Sequence, residues 1–223
     1  MSESNQLIVF DWDGTLMDSE ARIVACLRAA IAETGLPHRP DAALRNIIGL
    51  GLREALVTLY PAGSDQQHDD LVKHYRHHFL DINDTPSPMF EGADDLIRDL
   101  HAQGHFLAVA TGKGRRGLDK VLQETALGEY FHYTRCADET HSKPHPQMLL
   151  DIMDWLGMET SDTLMIGDTE FDLQMAQNAG VKSLGVSYGV HDKARLLACE
   201  PLACLDSLAE VSEWLNANMN QAA

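Results

Sequence analysis

Hydrophobic residues along the chain follow two rhythms. The short apolar run Leu7 to Phe10, ended by an Asp-Gly turn signal, predicts a buried strand of a parallel sheet. Further strand candidates are Phe106 to Ala110, Tyr133 to Cys136, Thr163 to Ile166, Val181 to Val186 and Leu202 to Leu205. Apolar residues three and four apart predict helices over Ala93 to Gln103, Leu118 to Glu124, Gln147 to Leu156, Phe171 to Ala179 and Leu208 to Asn218. Strands and helices alternating in this way predict an α/β fold, a Rossmann-like parallel sheet with helices on both faces. Ligands of such a fold sit outside the carboxyl ends of the strands.

One stretch departs from the alternation. From Ser19 to about Asp84 no strand-like run appears. Helical spacing covers Ala21 to Glu33, Leu52 to Leu59 and Gln67 to Leu80, punctuated by Gly35, Pro37, Pro40, Pro61 and Gly63. Thr85-Pro-Ser-Pro88 closes the stretch. The expected organisation is an all-helical unit at 18–89 inserted into a discontinuous α/β core of 1–17 and 90–223. There is no internal repeat and no low-complexity tract.

Composition narrows the function classes. With 223 residues and 44% hydrophobic content, the chain can bury one substantial core and carry a second small domain. Thirty-four acidic against seventeen basic side chains give a formal charge of -17, which repels nucleic acid and anionic membrane surfaces. No apolar run approaches the roughly 20 residues of a membrane span. The first residues lack the basic-then-apolar pattern of a secretory signal, so a cytoplasmic location is expected. Cys26, Cys136, Cys199 and Cys204 are scattered without metal-ligand spacing and read as incidental thiols. A small anionic substrate remains compatible with the charge if a metal ion and a few local cations reverse the field at the site.

Candidate chemistry gathers at strand ends. Asp11-Trp12-Asp13-Gly14-Thr15 follows the first strand, and residues two apart in extended chain point the same way, so both carboxylates face one site. One can attack phosphorus while the other serves as general acid and base. An isolated Asp-x-Asp-Gly is more often only a polar turn. A calcium loop is excluded, because Gly14 falls two places early and Arg22 stands where the terminal glutamate belongs. Gly167-Asp168-Thr169-Glu170-Phe171-Asp172 follows another apolar run. A helix starting near Thr169 would put Asp168 at its cap and Asp172 one turn on. Their oxygens, with Asp11, suit a hard octahedral cation such as magnesium, though helix capping alone would explain them equally well. Thr111-Gly112-Lys113 and Ser142-Lys143-Pro144 add hydroxyl, backbone N–H and positive charge, each weak by itself because a loop lysine is usually solvated.

Taken in order, these motifs resemble the haloacid dehalogenase superfamily, particularly its phosphoglycolate-phosphatase-like members, over nearly the whole chain. The resemblance implies Asp11 as nucleophile, Asp13 as general acid and base with its main-chain carbonyl on Mg2+, and Asp11 and Asp168 as ligands of the ion. It further implies support of the ion by Asp172, and phosphate binding by Thr111, Gly112 and Lys143. The implied activity is a magnesium-dependent phosphatase acting on a small phosphorylated metabolite, phosphoglycolate or a sugar phosphate. Two glycines in Ile48-Gly-Leu-Gly-Leu-Arg53 would let the cap approach the site, with Arg53 reaching the substrate's distal end or else lying in solvent.

Other readings compete. Gly112-Lys-Gly-Arg-Arg-Gly117 matches the dinucleotide fingerprint, with Asp138 about 20 residues on, but leaves both aspartate clusters idle. A non-catalytic phosphoacceptor module also combines Asp, Thr and Lys on a parallel sheet, yet lacks a cap-length insertion. A phosphomutase of the same superfamily would keep Asp13 and is the nearest enzymatic rival. His74, His77 and His78 read as a solvated helix face because no carboxylate partner is evident, and His141 and His145 as non-catalytic neighbours of Lys143.

Overall fold

Leu7–Phe10 forms β1, the innermost strand, with every residue buried. The computed structural model describes residues 6–219. After β1 come α1 (Glu20–Thr34), α2 (Asp41–Arg45), α3 (Leu52–Leu59) and α4 (Asp65–His77), which runs into a π-helical turn at His78–Ile82. The chain then continues through α5 (Ala93–Ala102), β2 (Phe106–Thr111), α6 (Arg115–Thr125), β3 (Tyr133–Cys136), α7 (Gln147–Leu156) and β4 (Thr163–Gly167). It finishes with α8 (Glu170–Ala179), β5 (Lys182–Val186), α9 (Lys193–Leu197), β6 (Ala203–Leu205) and α10 (Leu208–Met219).

The strands make one parallel sheet in the order β3-β2-β1-β4-β5-β6. Successive residues of β1 point to opposite faces, and both faces are covered. Ile8 and Phe10 pack with α5, α6 and α10, whereas Leu7 and Val9 pack with α7 and α8. The chain leaves β1 toward β2 on one side and returns to β4 on the other. That reversal opens a crevice beyond the carboxyl ends of β1 and β4. Asp11 stands there, its N–H still donating to Ile166 O at 3.0 Å.

Residues 18–89 contain no strand of the sheet, and α1 to α4 share an apolar cluster of their own built on Leu27, Leu44, Leu56 and Leu71. The two chain segments entering and leaving this stretch lie side by side, with Met17 bridged to Met89, and Asp18 N donating to Pro88 O at 2.8 Å. Local chemistry explains where the elements differ from expectation. α4 starts at Asp65 because Ser64 and Gln67 form a reciprocal capping box. The short helices α2 and α9 are too brief to show an apolar period. Among the described residues no helix is long and apolar enough to cross a membrane, and all four cysteines are free.

The helical unit meets the sheet at Gly112, directly after β2. A Cβ there would lie 2.5 Å from Leu50 O and 2.6 Å from Gly49 O, both main-chain atoms with little room to yield. Beside this contact Gly51 N donates to Ser142 Oγ at 2.7 Å. Gly112→Ala should therefore force the seam apart at a cost of about 1–3 kcal/mol, lowering the melting temperature and speeding hydrogen exchange of the Gly51 amide; unchanged exchange at Gly51 would show that the two surfaces do not press together.

Candidate active site

The alternation that carries β1 into the loop turns Asp11 and Asp13 to one side and Trp12 to the other. Trp12 is buried in the core, edge-on to Phe131 at 6.1 Å. Asp11 is buried, and its Oδ1 accepts from Trp12 N at 2.7 Å and pairs with Lys143 Nζ at 2.9 Å. Its Oδ2 has no hydrogen-bond partner among the described residues. Burial, reinforced by Asp172 and Asp13 and opposed by Lys143, pushes the Asp11 carboxyl up to about 7.

Lys143 is wholly enclosed between two carboxylates, 2.9 Å from Asp11 Oδ1 and 2.5 Å from Asp172 Oδ1. Burial alone would lower its ammonium's titration, but those two negative charges outweigh burial and raise it. Asp172 Oδ2 accepts from Thr169 N at 3.0 Å and Thr169 Oγ1 at 2.6 Å. Thr169, rather than Asp168, is therefore the N-cap of α8, because a capping box ties it to Asp172 three residues on. Asp168 turns the other way. Its Oδ1 accepts from Thr15 Oγ1 and its Oδ2 from Val190 N, each at 2.8 Å. No cation pairs with it among the described residues. Burial, then Asp172 and Asp11, hold its carboxyl well above the usual 3.8.

Gly14 makes this packing possible. Its φ is +85°, and a Cβ would fall 2.2 Å from Asp168 Oδ2. Oxygens of Asp11, Asp168 and Asp172 lie within 4.8 Å of one another. An all-oxygen set with an orphaned buried oxygen on Asp11 and a single enclosed ammonium fits a hard divalent cation such as Mg2+.

Asp13 is buried beside this cluster. Its Oδ1 accepts from Ser19 Oγ at 2.6 Å, and its Oδ2 pairs with Lys113 Nζ at 2.9 Å. Thr111, the last residue of β2, keeps its hydroxyl proton available while its Oγ1 accepts from Lys113 N at 3.2 Å. Asp11, Asp13, Thr111, Gly112 and Arg53 all line one cavity of about 460 Å³ between the sheet and the helical unit. Arg53 reaches that cavity with its guanidinium already paired to Asp65 and Asp69 of α4.

Several contributors carried little sequence signal. Thr15 stood inside the Asp-x-Asp-Gly-Thr motif, Thr169 with Asp172 matched a capping spacing, and Lys113 stood in a strand-end motif without a sign of its pairing with Asp13, but Ser19 and Tyr75 become visible only once the chain is folded. Asp138 accepts from Arg115 N at 2.9 Å, a role at the start of α6 that needs no dinucleotide. The histidine face does have a carboxylate partner. Glu33 on α1 is bracketed by His74 and by His78, the latter at 3.0 Å.

Comparison with known proteins agrees with this geometry. The family model described as "Haloacid dehalogenase-like hydrolase" matches residues 8–186. The "Probable phosphatase IndB" of Dickeya dadantii is 35% identical over 210 residues, covering 92% of this chain and 91% of the relative. The "Phosphoglycolate phosphatase" of Vibrio vulnificus is 28% identical, covering 92% of this chain and 94% of the relative. The crystal structure of a hydrolase from Pseudomonas syringae shares the fold, with a TM-score of 0.87 at 21% identity over 96% of this chain and 99% of that one.

The electrostatics make a thermal prediction. Because the Asp168 carboxyl titrates above 3.8 in the folded chain, its contribution to stability is intact below that pH and is lost as pH rises through the folded value. In metal-free buffer Asp168→Asn should flatten this decline and melt at or above the parent temperature at pH 7. Mg2+ at about 100 times its Kd should add about 2.7 kcal/mol to the parent and almost nothing to the variant. Equal magnesium shifts in the two proteins would remove Asp168 from the metal centre.

Proposed function

From the premise that the chain belongs to the haloacid dehalogenase-like hydrolases, we propose that it is a magnesium-dependent phosphatase that hydrolyses a small phosphorylated metabolite through a phosphoryl-aspartate on Asp11. Its named relatives are phosphatases, and hydrolysis of phosphoric monoesters is its activity. The observation that carries the mechanism is the unpartnered Oδ2 of Asp11 beside a cavity that Asp13 also lines.

Asp11 Oδ2 attacks phosphorus as the bond to the leaving oxygen breaks, and Asp13, protonated at this point, gives that oxygen its proton. Asp13 then takes a proton from the water that attacks the phosphoryl-aspartate, releasing phosphate and restoring the Asp11 carboxylate. Trp12 N–H and Lys143 hold the other oxygen of Asp11, which fixes the direction of attack. Lys143 and Thr111 would receive the phosphoryl oxygens. Asp11, Asp168 and the main-chain carbonyl of Asp13 would hold magnesium, and Asp172 would support it through Lys143 and Thr169. When bound, the ion neutralises charge between nucleophile and phosphoryl group. Residues 18–89 act as a cap over a core made of 1–17 and 90–223. Phosphoglycolate and hexose phosphates are the first bodies to try beneath that cap.

Phosphate release by Asp11→Asn should fall to background with the fold intact, since the amide lacks the nucleophilic oxygen. Asp13→Asn should lose about 10²–10⁴-fold in rate. EDTA should silence the parent and Mg2+ restore it. Asp11→Asn turnover near the parent rate, or full activity in EDTA, would refute the mechanism.

A further inference from the structure

The same cavity carries information about the substrate's body. Its volume, about 460 Å³, lies in the roughly 300–1,000 Å³ range of pockets that enclose drug-sized ligands. A two-carbon acid would leave most of it empty. Away from Asp11 and Asp13 one wall is aliphatic, made by Ile23 and Leu27 of α1, Ile47 and Ile48, Leu52 of α3, and Val72 of α4. A packed helical unit does not ordinarily keep such a space among aliphatic side chains.

Most of the cations that line the chamber are committed. Arg53 is paired with Asp65 and Asp69, Lys113 with Asp13, and Arg76 with Asp138 at 3.9 Å. Arg116 has no ion-pair partner among the described residues and, like Arg76, also lines an outer hollow along α4. Tyr75 is uncommitted as well. It lines the chamber from α4, its ring stacks on Phe79 at 5.6 Å, and its hydroxyl makes no hydrogen bond among the described residues. A phenol oxygen in that position has a proton to donate and no protein acceptor.

Building on the phosphatase reading, we infer that the substrate is a phosphate monoester whose body is apolar and ring-sized and bears a hydrogen-bond acceptor that Tyr75 reads. A hexose body would press several hydroxyls against the aliphatic wall, and unmade hydrogen bonds of this kind are costly. A glycolate carboxylate would find Arg53 and Lys113 already paired with carboxylates, leaving only Arg116, which also lines the outer hollow. An apolar ring satisfies the walls, and a single carbonyl or ring nitrogen satisfies Tyr75. Arg116, with no ion-pair partner among the described residues, faces the route by which the anionic phosphate would enter.

The test measures kcat/KM for acetyl phosphate, which has almost no body, and for phosphoglycolate, glucose 6-phosphate, phenyl phosphate and 4-acetylphenyl phosphate. The parent should prefer both aryl phosphates to the acid and the sugar by tenfold or more. Tyr75→Phe should lower the ratio of 4-acetylphenyl to phenyl phosphate about 3- to 10-fold, chiefly through KM, the size of one net hydrogen bond. Val72→Phe, which fills the chamber, should lower the ratio of either aryl phosphate to acetyl phosphate at least tenfold. Phosphoglycolate or glucose 6-phosphate turned over faster than the aryl phosphates would overturn the inference, with acetyl phosphate turnover leaving the phosphatase reading intact. An unchanged ratio in Tyr75→Phe would remove Tyr75 from recognition. Failure to hydrolyse acetyl phosphate or any ester would instead bring down the phosphatase reading itself.

Discussion

Three carboxylates buried around one ammonium form the constraint on which the rest of this molecule depends. Asp11, Asp168 and Asp172 crowd together beyond the carboxyl ends of β1 and β4, and Lys143 neutralises only part of their charge. Burying charge in this way opposes folding unless hydrogen bonds and counter-charges offset it. The chain supplies them one at a time: Trp12 N on Asp11, Thr169 on Asp172, Thr15 and Val190 N on Asp168. The oxygen left over, Asp11 Oδ2, is also the one best placed for chemistry. Residual negative charge is thus confined to the point where a divalent cation and a phosphoryl group would meet.

The sheet and the helical unit divide the labour. The sheet fixes Asp11, Thr111 and Asp168 on three neighbouring strand ends, where backbone ladders limit their movement. The helical unit contributes no carboxylate to this acidic cluster but closes the space above it. Contacts across the seam are short and specific: Gly112 lies under the Gly49 and Leu50 carbonyls, and Lys113 Nζ sits 4.4 Å from the centre of the Phe79 ring while paired with Asp13. Lys113 therefore joins Asp13 to the helical unit, so a shift of that unit would be felt at Asp13. An overall charge of -17 would repel an anionic substrate at long range, and the cations near the chamber mouth counter that field locally.

Much of this was legible in the sequence. Continuous apolar runs ending in Asp, Thr or Gly located β1, β2 and β4, and the absence of such runs between Ser19 and Asp84 marked the helical unit. Asp11, Asp13, Thr111, Lys143, Asp168 and Asp172 stood out as an ordered set of motifs that resembles one family, each motif by itself being a weak signal. What stayed hidden depends on contacts between distant segments. Whether Arg53 is free or paired turns on Asp65 and Asp69 one helix away, and the partner of His74 and His78 is Glu33, more than forty residues back. Tyr75 reads in sequence as one aromatic in a polar helix. Only the packing of α1, α3 and α4 makes it a chamber-lining donor without a hydrogen-bond partner among the described residues.

The central claim is that Asp11 carries the phosphoryl group, and the most direct test is to catch it there. Asp13→Asn protein with Mg2+ would be mixed with an aryl phosphate, quenched in acid within one turnover, digested and analysed by mass spectrometry. The account predicts that the peptide containing Asp11 gains the mass of one phosphoryl group and loses it on brief alkaline hydroxylamine treatment. Phosphate release without that mass gain, or the gain on a different peptide, would contradict it.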